Sequence, residues 1–173
     1  MAVMSVSLFL IIVVFPAAMA YAAASDMVSM TISNRLCLVL VAGFALCAAS
    51  VGLSWTQLGW HLAAGFLVLS VTFGFFAAGW IGGGDAKLAA VTALWFGFDQ
   101  LLPYVFISAV AGGALTLALL SLRKLPLPRP ALGWGWAQRL HDKDEGVPYG
   151  IALAFAALVV LPETAIWRAA IGS

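Results

Sequence analysis

Residues 3–24 read VMSVSLFLIIVVFPAAMAYAAA, a stretch without one charged side chain. About 20 predominantly apolar residues are what a helix needs to cross the roughly 30 Å hydrocarbon core of a bilayer, and this stretch is long enough. Working outward from it, five more apolar stretches lie at 36–53, 59–80, 86–102, 103–122 and 147–167, separated by charges or Pro/Gly punctuation. The fourth is the shortest and carries Asp99 and Gln100 near its far end. Over the whole chain of 173 residues, 64% are apolar and 9% are charged, with mean hydropathy +1.09. A soluble domain carries about 25% charged residues, so this chain cannot coat a water-facing surface and part of it must be solvated by lipid. We expect an all-α, polytopic membrane protein of about six transmembrane helices, forming a single integral-membrane domain over 1–173.

The first span is followed by Ala22-Ala23-Ala24, which has the look of a signal cleavage site. It lacks a basic n-region, however, and exceeds the usual h-region of about 7–15 residues, so it reads as a retained helix. Short loops rich in Lys and Arg stay in the cytoplasm. Arg35 follows span one, Lys87 follows span three, and Arg123, Lys124, Arg129, Arg139 and Lys143 lie between spans five and six. Seven of the 8 basic residues therefore fall on one side and only Arg168 on the other, which sets both termini away from the cytoplasm. A net charge of +1 gives no reason to propose nucleic acid as a partner.

The loop at 123–147 is the only long polar one. Pro126, Pro128 and Pro130 forbid a regular helix at its start, and Leu132, Trp134, Trp136 and Leu140 suit an interfacial segment along the headgroups. Read most simply, it is a solvated connector with membrane-anchoring aromatics. His141, Asp142, Asp144 and Glu145 follow no recognised metal-ligand spacing, and no cofactor is expected. Cys37 and Cys47 are ten residues apart on one helix, about 15 Å in rise and too far for a mutual disulfide, so they read as core packing.

Of the 7 acids, Asp142, Asp144 and Glu145 belong to that loop, and Asp99 and Glu163 sit near the opposite ends of spans four and six. Asp26 and Asp85 remain, and the topology brings both to the cytoplasmic face. A carboxylate at membrane depth is costly, so it is a functional candidate whose partner must be named. Here the natural partner is the other aspartate. Two carboxyls that meet in a low-dielectric site share one proton, and the pair can activate water for peptide hydrolysis with neither a metal nor a covalent intermediate.

The run Gly82-Gly83-Gly84-Asp85-Ala86-Lys87 has two readings. As an active-site loop, its glycines let an extended peptide approach while Lys87 stands beside the acid. As plain structure, Asp85 is a helix N-cap, the glycines connect two spans, and Gly79 with Gly83 matches a small-xxx-small packing pattern. A cap would lower the pKa of Asp85 and a nearby Asp26 would raise that of one member of the pair, so the two effects oppose each other. The convergence of Asp26 and Asp85 on one face, with Lys87 and Arg35 beside them, favours function.

At these residues the chain resembles a prepilin peptidase, a bacterial aspartyl peptidase of the group named for a Gly-x-Gly-Asp motif that also includes the presenilins. Gly82-Gly83-Gly84-Asp85-Ala86-Lys87-Leu88 is similar to the second-aspartate motif of that family. Asp26 with Ile32, Asn34 and Arg35 resembles the first-aspartate segment, and Val147-Pro148-Tyr149-Gly150 the opening of the last span. The resemblance implies Asp26 and Asp85 as the catalytic pair. It also implies, as substrate, the precursor of a type IV or Flp-type pilin or pseudopilin, cut at the cytoplasmic face of the bacterial inner membrane. Longer relatives carry paired CxxC motifs and also methylate the product; this chain resembles the short form. Two other readings of the residues are a small ion-coupled transporter, with both acids binding an ion, and a noncatalytic scaffold of a pilus or secretion apparatus.

Overall fold

The computed structural model describes residues 6–172, and every regular element among them is helical. In chain order these are α1 (Val6–Ser29), α2 (Asn34–Val51), α3 (Trp55–Ala77), α4 (Gly83–Phe96), α5 (Leu101–Leu122), α6 (Gly135–His141), α7 (Tyr149–Val160) and α8 (Ala165–Ile171). Residues 3–5 of the first expected span lie outside the described residues. The sequence marks several of the boundaries. Ser33 caps α2 by accepting from the Leu36 amide, and Ser54 with Gln57 forms a reciprocal capping box at the start of α3. Within α1, residues Leu10–Val14 widen into a π-helical turn.

Four helices, α1, α2, α3 and α5, are long and apolar enough to cross a membrane. The pair α7–α8 adds a fifth if its two parts, bent by 52° at a short break, are one span. That break is the turn Leu161–Glu163, which contains Pro162. The fourth expected span is shorter than the sequence suggested. Its 14 helical residues reach about 21 Å, less than the roughly 30 Å of a hydrocarbon core. The helix stops because Gly97 takes φ 66° and ψ −170°, a conformation essentially closed to other residues. Asp99 and Gln100 fall in the following turn.

Although short, α4 is the axis of the fold. It packs against α2, α3 and α7, and Ala86 and every residue from Leu88 to Phe96 are buried. An all-round apolar helix is expected only where every face is covered. At its centre, Trp95 lies 4.9 Å from the Phe15 ring, edge-on to Phe44, and donates its indole N–H to the Leu40 carbonyl at 3.0 Å. Cys37 and Cys47 are buried free thiols within the same core. The outer helices show the reverse pattern, with Phe66 72%, Leu102 80% and Phe106 70% exposed. In water such a surface would aggregate, whereas in lipid it is the solvated one.

The segment 123–147 is more than a solvated connector. After the prolines, a short 3-10 turn at Arg129–Gly133 leads into α6, where Trp134 and Trp136 stack at 5.6 Å. Arg123 is buried and donates from Nε to the Leu140 carbonyl at 2.8 Å and from Nη2 to the Gly146 carbonyl at 2.9 Å. Arg139 donates to the Val28 carbonyl at the end of α1. These arginines, placed by sequence as topology anchors, strap the loop back onto the bundle.

Candidate active site

Asp26 lies in the last turn of α1 and is buried. The chain then turns sharply, with Met30 in the left-handed region (φ 52°) and its amide donating to the Asp26 carbonyl at 2.8 Å. That turn sends Ile32 back into the bundle, where it is buried beside Asp26. Asp85 sits in the first turn of α4. It is not the N-cap: Gly82 holds that position in extended conformation and makes no side-chain cap bond. Asp85 instead turns its Oδ2 back toward Gly82, where a Cβ would lie 3.1 Å away.

Helix α7 brings the two acids into one site. It packs along both α1 and α5 and also touches α4. Its first turn places the Gly150 amide so that it donates to Asp26 Oδ2 at 2.8 Å. Asp26 and Asp85 are near enough to act on each other electrostatically. The packing around them tolerates no side chain. A Cβ on Gly150 would lie 2.8 Å from Asp26 Oδ2 and 2.9 Å from Ile32 Cδ1, and one on Gly84 would lie 3.1 Å from the Ile32 backbone nitrogen. Each is tighter than ordinary van der Waals contact.

A cavity of about 630 Å³ opens on Asp85, lined by Gly79, Trp80, Gly82, Thr116, Val147 and Tyr149 among others. It has the size of a small-ligand or peptide cleft. The glycine run is less of a loop than the sequence implied. Gly83 and Gly84 are already helical, and only the turn through Gly79 and Gly82 is irregular. Gly79 does not pack against a partner helix; at φ +75° it ends α3, with the Trp80 amide returning to the Phe75 carbonyl. Lys87 does not face the acids. Its Nζ donates to Asn34 Oδ1 at 2.6 Å, tying α4 to the start of α2, while Arg35 is exposed.

A family model described as the type IV leader peptidase family matches residues 13–117. The chain belongs to the type IV leader peptidase family. It is accordingly a leader-peptidase type of protease. The matched region contains both Asp26 and Asp85 and ends before Arg123 and Gly150. No curated protein and no solved structure matches the chain. Gly150 is the residue that reading for chemistry passes over, since its contribution is a backbone N–H. The resemblance of 147–150 to the family's last span was its only signal.

Proposed function

We propose that this leader peptidase is an aspartyl endopeptidase that removes the short basic leader of a type IV or Flp-type prepilin or pseudopilin, with Asp26 and Asp85 as the catalytic dyad. The observation that supports the reading is the approach of two carboxyls, remote in sequence, to within electrostatic reach of each other, with the Gly150 amide bonded to Asp26. Two such groups in a water-poor site hold a single proton between them. The ionised member takes a proton from the attacking water, and the protonated member donates to the scissile carbonyl oxygen. The result is a neutral gem-diol that collapses to the new termini.

Peptide bonds within a regular helix are shielded by their own hydrogen bonds, so the junction must be extended when cut. A glycine at the junction lowers the cost of unwinding it. The cavity beside Asp85 supplies room for an extended segment, and the exposed apolar faces of the bundle leave the pilin's apolar helix in lipid. The gathering of Lys and Arg at the Asp85 end supports a cytoplasmic orientation for that end, and the leader-peptidase reading supports the bacterial inner membrane as its location.

The test is leader removal in membranes supplied with a prepilin, followed on a gel. Asp26→Asn and Asp85→Asn each abolish processing if the dyad is catalytic. An ion-coupled transporter would leave the precursor uncut even in the wild type, and a scaffold would tolerate both changes. A chelator leaves the rate unchanged; inhibition reversed by added metal would overturn the mechanism.

A further inference from the structure

Helices α2 and α3 follow each other in the chain but scarcely touch; each leans on α4, and α3 does so most extensively. Between them α4 forms the floor of a groove. One cavity in it, of about 320 Å³, is lined by Cys37 of α2, Phe66 and Leu69 of α3, and Lys87, Ala90 and Val91 of α4. A second, of about 510 Å³, is lined by Val41, Ala45 and Ala49 of α2 and by Trp55 and Leu58 of α3. Leu62 and Leu94 line both, so the two cavities abut. Leu69 and Trp55, near its two ends, are 14 positions apart on α3, which is about 21 Å of helix. That is longer than one leaflet, half of the roughly 30 Å hydrocarbon core.

The groove is apolar except at one end, where Lys87 is the one charged side chain among the lining residues. Its Nζ donates to Asn34 Oδ1 at 2.6 Å. Asn34 opens α2 on the helical face that carries Cys37, Val41 and Ala45, three, seven and eleven positions on, so it stands at the same end of the groove. The bond uses one of the three Nζ protons and the amide oxygen of Asn34. What is left over is donors alone: the other Nζ protons and the Asn34 Nδ2 hydrogens. No acid lines the groove. Asp85, two positions before Lys87, is turned about 200° away around α4.

A long apolar trough closed at one end by a cation and spare donors suits a molecule with an apolar tail and an acceptor-only, negatively charged head. Basic pockets between membrane helices hold lipid head groups of this kind. We propose that the groove binds one phospholipid with an anionic head group, its acyl chain between α2 and α3 over Ala90 and Leu94 and its phosphate on Lys87 Nζ and Asn34 Nδ2. The lipid stands in for the missing contact between α2 and α3. A zwitterionic head would bring an ammonium for which this end has no acceptor. A pilin helix is not the occupant, because the groove and the Asp85 carboxyl lie on opposite sides of α4 and a junction attached to a helix there would not reach the acids. Only that exclusion borrows the peptidase reading; the lipid site stands on the groove and its cation.

The test is native mass spectrometry of the full chain in a mild nonionic detergent, titrated with phosphatidylglycerol or phosphatidylcholine. The wild type should hold one phosphatidylglycerol about tenfold more tightly than phosphatidylcholine. Lys87→Gln keeps a side chain able to bond Asn34 but removes the charge, and should erase that preference, the size expected for one charge-assisted hydrogen bond. Lys124→Gln removes an equal charge from an exposed site off the groove and should change nothing. Leu62 is 53% exposed where the two cavities abut, so Leu62→Trp obstructs the groove without entering the core and should weaken both lipids. Unfolding midpoints give a second reading: phosphatidylglycerol should raise that of the wild type and of Lys124→Gln but not that of Leu62→Trp. Equal binding of the two lipids by the wild type, equal losses in Lys87→Gln and Lys124→Gln, or full binding by Leu62→Trp would each overturn the site, whether or not the chain cuts a prepilin.

Discussion

The Gly150 amide donates to Asp26 Oδ2 at 2.8 Å across 124 positions of sequence. This bond joins the last turn of α1 to the first turn of α7 at the point where Asp85 also arrives. Glycine is required there by space rather than by backbone angle, because an added methyl would meet both the Asp26 carboxyl and Ile32 inside 3.0 Å. Gly150→Ala is therefore expected to push Asp26 out of register and lower leader cleavage about tenfold or more, equivalent to about 1.4 kcal/mol of barrier. Gly135→Ala, with open space around it, should leave the rate unchanged. Quantified processing of a prepilin by the two variants in membranes checks this, and an active Gly150→Ala enzyme would remove the amide from the mechanism.

Arg123 ends α5 with its guanidinium buried on the Leu140 and Gly146 carbonyls. Gly146 leads directly into the Val147–Tyr149 wall of the cleft, so these bonds set the entry to α7 as well as the path of α6. Hydrogen bonds to a charged group contribute about 1.5–3 kcal/mol each when buried. Arg123→Ala should free the segment 124–146, seen as faster nicking there by a protease added to the exposed face, and lower activity along with it. Arg123→Lys, which lacks the two-pronged geometry, should fall in between. Resistance to nicking as strong as in the wild type would show that the strap is held by α6 alone.

How far the sequence could be read depended on which interaction set each feature. Hydropathy placed the expected spans 36–53, 59–80 and 103–122 within a few residues of α2, α3 and α5, because lipid exposure writes itself into composition. It overran the fourth span, since α4 and the turn after it are equally apolar and the stop comes from one residue, Gly97, in a conformation composition does not report. The π turn at Leu10–Val14 and the 52° bend after α7 were likewise invisible to hydropathy, although Pro162 stands at the latter. Asp26 and Asp85 were legible because an acid is rare in such a chain. Gly150 was legible only through the resemblance of 147–150 to the family's last span, because it acts through its backbone N–H.

Lys87 was expected beside the acids, and its bond to Asn34 assigns it a different task. It joins α4 to the first turn of α2, a few residues after the Met30 turn that directs Ile32 into the site. If that tie is its role, Lys87→Ala and Asn34→Ala should each lower thermal stability modestly, by about 1 kcal/mol for a half-exposed charged hydrogen bond. The double variant should be no worse than either single one, as expected for two ends of one interaction. Unfolding midpoints of the four proteins in detergent give the cycle. Additive losses, or a Lys87→Ala enzyme as inactive as Asp85→Asn, would return Lys87 to the catalytic group.

Gly97 offers a test of the fold that leaves the acids alone. It sits at the far end of α4 from Asp85, with φ 66° and ψ −170°, and a Cβ would lie 3.2 Å from the His61 ring, itself held by a 2.9 Å bond between Nδ1 and the Leu94 carbonyl. Gly97→Ala is expected to destabilise the protein by about 1–3 kcal/mol, the usual cost of a side chain in that region of backbone space. The protein that does fold should process its substrate at the normal rate, because α4 is anchored at the other end by α7 and α3. Unfolding curves together with activity per folded molecule decide the matter, and loss of activity at full stability would contradict it.

The neighbouring pair Gly112 and Gly113 separates packing from helix propensity within two adjacent positions of α5. Gly113 has nothing within 4 Å of where a Cβ would be, so Gly113→Ala only removes the flexibility of glycine in a helix and should be neutral or stabilising by up to about 1 kcal/mol. At Gly112 the same methyl would overlap the Tyr149 ring, with Cδ1 and Cζ of that ring at 3.0 Å. Tyr149 cannot withdraw freely, because the next residue is Gly150, bonded to Asp26. Gly112→Ala should therefore cost about 1–3 kcal/mol of overpacking and drag the Gly150 amide away from Asp26, lowering stability and leader cleavage together. Adding Tyr149→Ala to Gly112→Ala reopens the space and should restore part of the stability. Equal behaviour of the two glycine variants in thermal unfolding would mean that α5 and α7 do not meet as closely as Tyr149 on Gly112 requires.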